Sequence, residues 1–248
     1  MNSDLLVIVP SRGRPESLER VAAAWDATKA FGESAGLVFA VDDDDPSLPG
    51  YHTALARLAA ADPGRGINLM NAGRWRPMVA KLDRAANLFA CQGHFALAFM
   101  GDDHRPRTVG WASTMLAALR EMGTGIVYGD DLLQRERLCT AWAMTSDIVQ
   151  TLGAMVPAPV EHMYCDNAVM DLGRLAGCLR YLPEVVIEHC HPLAGKADWD
   201  GGYARVNRAD QYRRDEALYR HWCDGMRDVH VAAVKALRSS DGSVRDSN

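Results

Sequence analysis

The stretch Phe95-Ala96-Leu97-Ala98-Phe99-Met100 is apolar throughout and stops abruptly at Gly101-Asp102-Asp103-His104. Gly93 precedes it and Pro106 follows. An uninterrupted run of this length fits a strand covered on both faces, which in a soluble chain means the interior of a sheet flanked by helices. Its two acids then emerge at the strand's C-terminal end, the edge of an open α/β sheet at which ligands bind. With 248 residues the chain is long enough to bury a sizeable core around such a sheet.

The rest of the chain repeats the theme. Residues 5–9 form a second apolar run stopped by Pro10; the loop Ser11-Arg12-Gly13-Arg14 follows, and Pro15 suits the first position of a helix whose apolar face is Leu18, Val21, Ala22 and Trp25. Residues 37–41 run straight into Asp42-Asp43-Asp44-Asp45-Pro46. Four adjacent acids repel one another unless they are solvated, hold a cation or hydrogen-bond a ligand. A helix over 51–61 and a short strand over 67–70 come next, then the donor-rich turn Asn71-Ala72-Gly73-Arg74-Trp75-Arg76-Pro77. The helix after it carries Val79, Leu82, Ala86 and Phe89 on one face, with Lys81 and Arg84 off that stripe as surface charges or diphosphate contacts. A further helix (Val109, Ala112, Leu116, Leu119) leads to a strand over 125–129 that ends in Asp130 and Asp131. Such alternation predicts a mainly parallel central sheet with helices on both faces.

Beyond residue 135 the pattern loosens. A strand over 138–144, a helix over 145–152, a break at Pro157 and Pro159, and a helix opened by Asp166 with Ala168, Leu172, Leu175 and Ala176 on its apolar face are expected. Val185-Val186-Ile187 is a strand that delivers Glu188, His189, Cys190 and His191. Residues 195–202 read as a mobile lid, 208–237 as one C-terminal helix, and 239–248 as a disordered tail. No repeat and no linker divides the chain, so 1–238 reads as a single domain.

Composition narrows the function classes. A formal net charge of −5 offers no global basic field for nucleic acid or an anionic membrane. No apolar run is long enough for a membrane span or signal peptide, and the chain reads as cytoplasmic. The six cysteines include no C-x-x-C pair, so free thiols are expected. Neighbours in His189-Cys190-His191 point to opposite faces of a strand, which argues against a zinc site made of all three.

Together, Val9-Pro10-Ser11-Arg12-Gly13-Arg14, the acidic strand end Val41-Asp42-Asp43, Gly101-Asp102-Asp103, Asp166-Asn167 at a helix start and Glu188-His189-Cys190-His191-Pro192 resemble the GT-A glycosyltransferases. The likeness is to family-2-type members, especially compact bacterial and phage-type ones, and covers residues 5–192. It implies a Rossmann-like α/β domain with a C-terminal helical extension: a nucleotide-binding half over 1–131, an acceptor and metal half over 132–207 and a terminal helix over 208–238. By the same resemblance Pro10, Ser11, Arg12 and Arg14 approach the nucleotide, and Asp42 or Asp43 holds the base or ribose. Gly73, Arg74 and Lys81 join the nucleotide site. Gly101-Asp102-Asp103 stands for the family's Asp-x-Asp element with glycine in place of the first acid, so Asp103 is the expected metal ligand and Asp102 a ribose or metal-water contact. His189, or in its place His191, completes the metal shell, and Asp166 is the expected base, with Asp171 as fallback.

The chemistry is coherent. Departure of a diphosphate develops charge that a divalent cation neutralises, and a histidine ligand tilts the choice from Mg²⁺ to Mn²⁺. Arg12, Arg14, Arg74 or Lys81 add positive charge, and the acceptor hydroxyl needs a base. A nucleotidyltransferase is the second reading, weakened because no glycine-rich, lysine-containing phosphate loop follows the first strand. A non-catalytic nucleotide-sugar or glycan-binding protein is the third. The acceptor is open among a modified DNA base, a glycan, a lipid and a small metabolite; Arg105, Arg107, Arg205, Arg208, Arg213 and Arg214 form either a local basic surface or ordinary solvated charges.

Overall fold

The structure, a computed structural model, describes residues 3–32 and 34–245. β1 (Leu5–Ser11), β2 (Ala35–Val41), β3 (Ile67–Asn71) and β4 (Ala96–Phe99) lie parallel in the order β3-β2-β1-β4. The order continues β7 (Ala143–Thr145), β6 (Ile126–Asp130), β8 (Leu179–His189) and β5 (His104–Pro106). β6 and β8 are parallel; β7 runs antiparallel to both of its neighbours, and β5 antiparallel to β8. The sheet is therefore mainly parallel, as expected, with antiparallel insertions where the alternation of strand and helix loosens.

Strands β1, β2 and β4 are buried on both faces because their side chains serve two cores. Leu6, Ile8, Val38 and Phe99 pack on α3 (Met78–Ala90) and α6 (Cys165–Ala176), through Leu82, Ala86 and Val169. Val7, Val9, Leu37 and Phe39 point the other way, into a core with Leu18 and Trp25 of α1 (Pro15–Ala27) and Trp111 of α4 (Trp111–Met122). The period-two alternation of a strand makes an unbroken apolar run necessary for this double role.

Three expectations are corrected. β8 starts at Leu179, six residues before Val185, because Pro183 and Glu184 interrupt the apolar pattern without ending the strand; the register jumps from Gly129↔Leu182 to Asp130↔Val186, and Pro183, which has no N–H, sits in that bulge. The C-terminal helix is two: α8 (Ala209–Gly225) ends at a helix-breaking glycine, and α9 (Arg227–Arg245) packs on α5 (Ser146–Leu152) and α6. Its buried Val231 and Val234 keep α9 on the core, and the helix continues through 239–245, which the sequence marks as disordered; 246–248 lie outside the described residues. All six cysteines are free, and among the described residues no helix is long and apolar enough to cross a membrane.

Candidate active site

Four strand ends deliver the polar groups to one edge. Ser11, at the end of β1, donates from Oγ to Asp102 Oδ2 at 2.6 Å and lies 2.6 Å from the Tyr51 hydroxyl, which itself accepts the Arg14 amide at 3.0 Å. Asp42, just past β2, is fully buried; its Oδ2 accepts from Arg12 Nη1 at 2.9 Å and Lys81 Nζ at 2.8 Å. Lys81 is thus neither a surface charge nor a free cation. Burial pushes its ammonium pKa down, partly offset by Asp42, and its Nζ also donates to the Ser11 carbonyl at 3.0 Å. Repulsion within the acidic run is relieved from inside the protein: Asp44 pairs with Arg12 at 2.7 Å, and Asp45 accepts the Gly13 and Ser47 amides at 2.7 and 2.8 Å. Asp42 Oδ1 is buried without a hydrogen-bond partner.

Asp103 occupies the turn between β4 and β5. The β5–β8 register sets His104 opposite His189, and the two rings stack at 4.3 Å and 19°. Asp103 Oδ2 lies 3.2 Å from His189 Nε2 and accepts the Tyr203 hydroxyl at 2.7 Å; Oδ1 lies 3.2 Å from His104 Nδ1. Burial opposes the Asp103 charge, but hydrogen bonds and charge from His104 and His189 outweigh it and hold the carboxyl well below the usual range. Asp102 moves the opposite way, raised by burial and by Asp103 against the pull of Arg14.

Asp103, His104 and His189 each offer a donor atom, all within 4.8 Å of one another, and this oxygen-nitrogen set fits a divalent first-row metal. The Gly101 amide lies 3.0 Å from His104 Nδ1, and His104 Nε2 and His189 Nδ1 are buried without a hydrogen-bond partner. All three are therefore candidate ligands, and Asp103 and His189 are the two that the sequence also marks. A Cβ at Gly101 would lie 2.5 Å from Asp103 Oδ1 and 2.7 Å from His104 Nδ1, so any larger residue there displaces these side chains.

A cavity of about 670 Å³ opens over these groups, and Asp166 lines its far side from the first turn of α6. Burial pushes the Asp166 carboxyl up to about 7, against the attraction of His189. His162, also in the lining, is pushed down to about 4 by burial and is neutral at ordinary pH. Its loop is pinned by Asp215 of α8, a fully buried carboxylate that accepts the amides of Glu161, His162 and Met163 at 2.8, 3.0 and 2.7 Å. Asp215→Ala strands three amides, and a loss of about 2–4 kcal/mol is expected in chemical denaturation.

Of the residues singled out from sequence, Pro10, Ser11, Arg12, Arg14, Lys81, Asp102, Asp103, Asp166, His189 and His191 line this one cavity, with Asp42 beneath Arg12 and Lys81. Asp43, Gly73 and Arg74 stand outside the lining; the Asp43 amide bonds the Gly73 carbonyl at 2.9 Å. The fallback Asp171 also lies outside it, bound by the Tyr219 hydroxyl. Arg105 is not part of a basic surface: it is buried and donates to the Asp102 and His104 carbonyls. Tyr51, His104, His162, Asp200 and Tyr203 are additions. His104 adjoins Asp103, a signal present in the sequence; the others meet the site only through the fold.

No protein-family model matches the chain, and no curated protein matches it in sequence. Solved structures match in fold. A mannosyltransferase, PcManGT from Pyrobaculum calidifontis, in complex with GDP-Man and Mn²⁺, has a TM-score of 0.63 at 12% identity, covering 98% of this chain and 76% of that one. S. aureus TarS 1–349 in complex with UDP-GlcNAc has a TM-score of 0.52 at 10% identity, covering 82% of this chain and 64% of that one. At such identities the likeness speaks to fold alone, and the fold is that of the GT-A glycosyltransferases.

Proposed function

We propose that this GT-A-fold chain is a metal-dependent glycosyltransferase that moves a sugar from a nucleoside-diphosphate donor, UDP-linked by preference, to a hydroxyl acceptor. The observation that carries the reading is the meeting in one cavity of an ionised carboxylate beside an imidazole, Asp103 and His189, and a separate carboxyl, Asp166, that titrates near neutrality. A divalent cation held by Asp103 and His189, Mn²⁺ by preference for the imidazole, would neutralise the departing diphosphate.

The chain's own groups supply the rest. Asp42, beneath the cavity, holds Arg12 and Lys81, which line it, in place for the nucleotide, and Ser11 and Asp102 face the ribose. Arg14 presents guanidinium N–H groups to phosphate oxygens. Asp166 takes the acceptor's hydroxyl proton as the acceptor oxygen forms its bond to the anomeric carbon and the bond from that carbon to the diphosphate breaks. A single displacement of this kind inverts the anomeric centre. A carboxyl near 7 suits the task, since it is partly ionised at working pH yet basic enough to accept the proton.

Slow donor hydrolysis tests the reading without an acceptor. Incubation with Mn²⁺ and UDP-, GDP- and TDP-sugars should release a nucleoside diphosphate above the protein-free rate. Release of pyrophosphate instead would indicate nucleotidyl transfer. Tight nucleotide-sugar binding with no turnover, in the presence of a broad acceptor panel, would favour a non-catalytic binding protein.

A further inference from the structure

Residues 195–207, which include the short helix α7 (Gly201–Val206), form a strap whose Gly202, Tyr203, Arg205, Val206 and Asn207 line the cavity. The Asp200 carboxylate takes both Nε and Nη2 of Arg14 at 2.7 Å each, and caps α7 by accepting the Tyr203 amide at 2.9 Å. The Tyr203 ring lies 4.2 Å from the Arg14 guanidinium carbon, and its hydroxyl donates to Asp103 Oδ2. The fit is close: a Cβ on Gly202 would come within 2.9 Å of Arg14 Nη2. The strap is thereby fastened to the two groups that the proposed function gives to the donor phosphate and to the ion.

Charge decides what happens when those ligands arrive. Arg14 already faces two carboxylates, Asp102 on Nη1 at 2.9 Å and Asp200 on Nε and Nη2, so the cluster carries excess negative charge before a diphosphate adds its own. One acid has to withdraw. Asp102 has 9% side-chain exposure and is also held by Ser11, whereas Asp200 has 43% exposure. Exposed ion pairs are weak, so Asp200 is the partner that yields. An ion held by Asp103 Oδ2, on the His189 side, likewise competes with the Tyr203 hydroxyl.

We propose that Asp200 and Tyr203 act as an internal competitor of the donor: the strap and the cation-bound nucleoside diphosphate exclude one another at Arg14 and Asp103. The inference rests on the proposed function and concerns regulation of that same site. Donor loading then frees the strap. Because the strap also brings Arg205 and Asn207 into the cavity wall, its release reshapes the surface offered to the acceptor.

Titration calorimetry of UDP and GDP at saturating Mn²⁺, on wild type and Asp200→Asn, tests this. Asparagine keeps the shape and the helix-capping ability and removes only the charge. Nucleotide Kd should fall about two- to fivefold, the scale of one exposed ion pair. Tyr203→Phe should tighten binding of Mn²⁺ alone by a similar factor. Independently of any variant, amide hydrogen exchange over 200–207 in the wild type should speed up on addition of UDP with Mn²⁺. Equal or weaker nucleotide binding by Asp200→Asn, together with unchanged or slower exchange, overturns the competitor and leaves the glycosyltransferase reading standing. Failure of the wild type to bind either nucleotide with Mn²⁺ takes down both.

Discussion

Asp103→Asn is expected to abolish Mn²⁺-dependent nucleotide binding while leaving the fold in place. Asparagine matches the carboxylate in shape, so Tyr203 and the two imidazoles keep a partner and the turn between β4 and β5 keeps its packing. What disappears is the negative charge, and a hard divalent ion depends on it. In the wild type the surroundings hold this carboxyl well below the usual range despite burial, so its charge is present throughout the pH range in which a transferase works. Calorimetry of UDP with Mn²⁺ should show affinity lower by about a hundredfold or more, since even indirect supports of a metal ligand cost about 10–100-fold. An affinity within about threefold of wild type, about 0.7 kcal/mol, would reject Asp103 as the ligand.

The second large effect belongs to Asp166→Asn. Donor binding should persist and turnover fall by about 10²–10⁴, the usual contribution of a general base. The pH profile carries its own signature. Transfer by the wild type should rise with pH through about 7 as Asp166 ionises, and this rise should vanish in the variant. Near-normal turnover would remove Asp166 as the base.

Stability runs the other way. A carboxyl raised to about 7 in the folded protein, from about 4 in the unfolded chain, favours the fold in its protonated form. That contribution is complete below about pH 4 and is lost as pH rises through about 7. At pH 8 the wild type bears the cost of a buried anion that His189 compensates only in part, which the neutral asparagine avoids. Asp166→Asn should therefore be more stable at pH 8 by about 1–3 kcal/mol, with the gap narrowing toward pH 5 in thermal melts. A less active yet more stable variant would separate a chemical role from a structural one.

Much of this arrangement is legible in the amino-acid order, and the reason is burial. Strands covered on both faces must be apolar end to end, so β1, β2 and β4 announce themselves, and the polar residues that stop them mark the ligand-binding edge. β8 shows the limit. Pro183 and Glu184 fit a bulge in the three-dimensional ladder, but on paper they erase the first half of the strand. Lys81 fails for a related reason: helical periodicity reports which face is apolar, not that a lysine is folded inward onto Asp42 from an element 39 positions away. The strap contacts lie further out of reach. Asp200 and Arg14 are 186 positions apart, and no local pattern distinguishes that aspartate from other exposed helix caps.

The interleaving of strands has a consequence for how the chain acquires its site. β7 separates β4 from β6, and β8 separates β6 from β5, so strands drawn from residues 143–189 are wedged between strands made earlier. A growing chain that has emerged only as far as β6 holds Asp103 without the opposing imidazole and has gaps in its sheet where the later strands belong. Such distant pairings are slow to form. The pocket is therefore finished late in the life of the nascent polypeptide, after the segment bearing His189 has been made, and its appearance reports completion of the whole sheet.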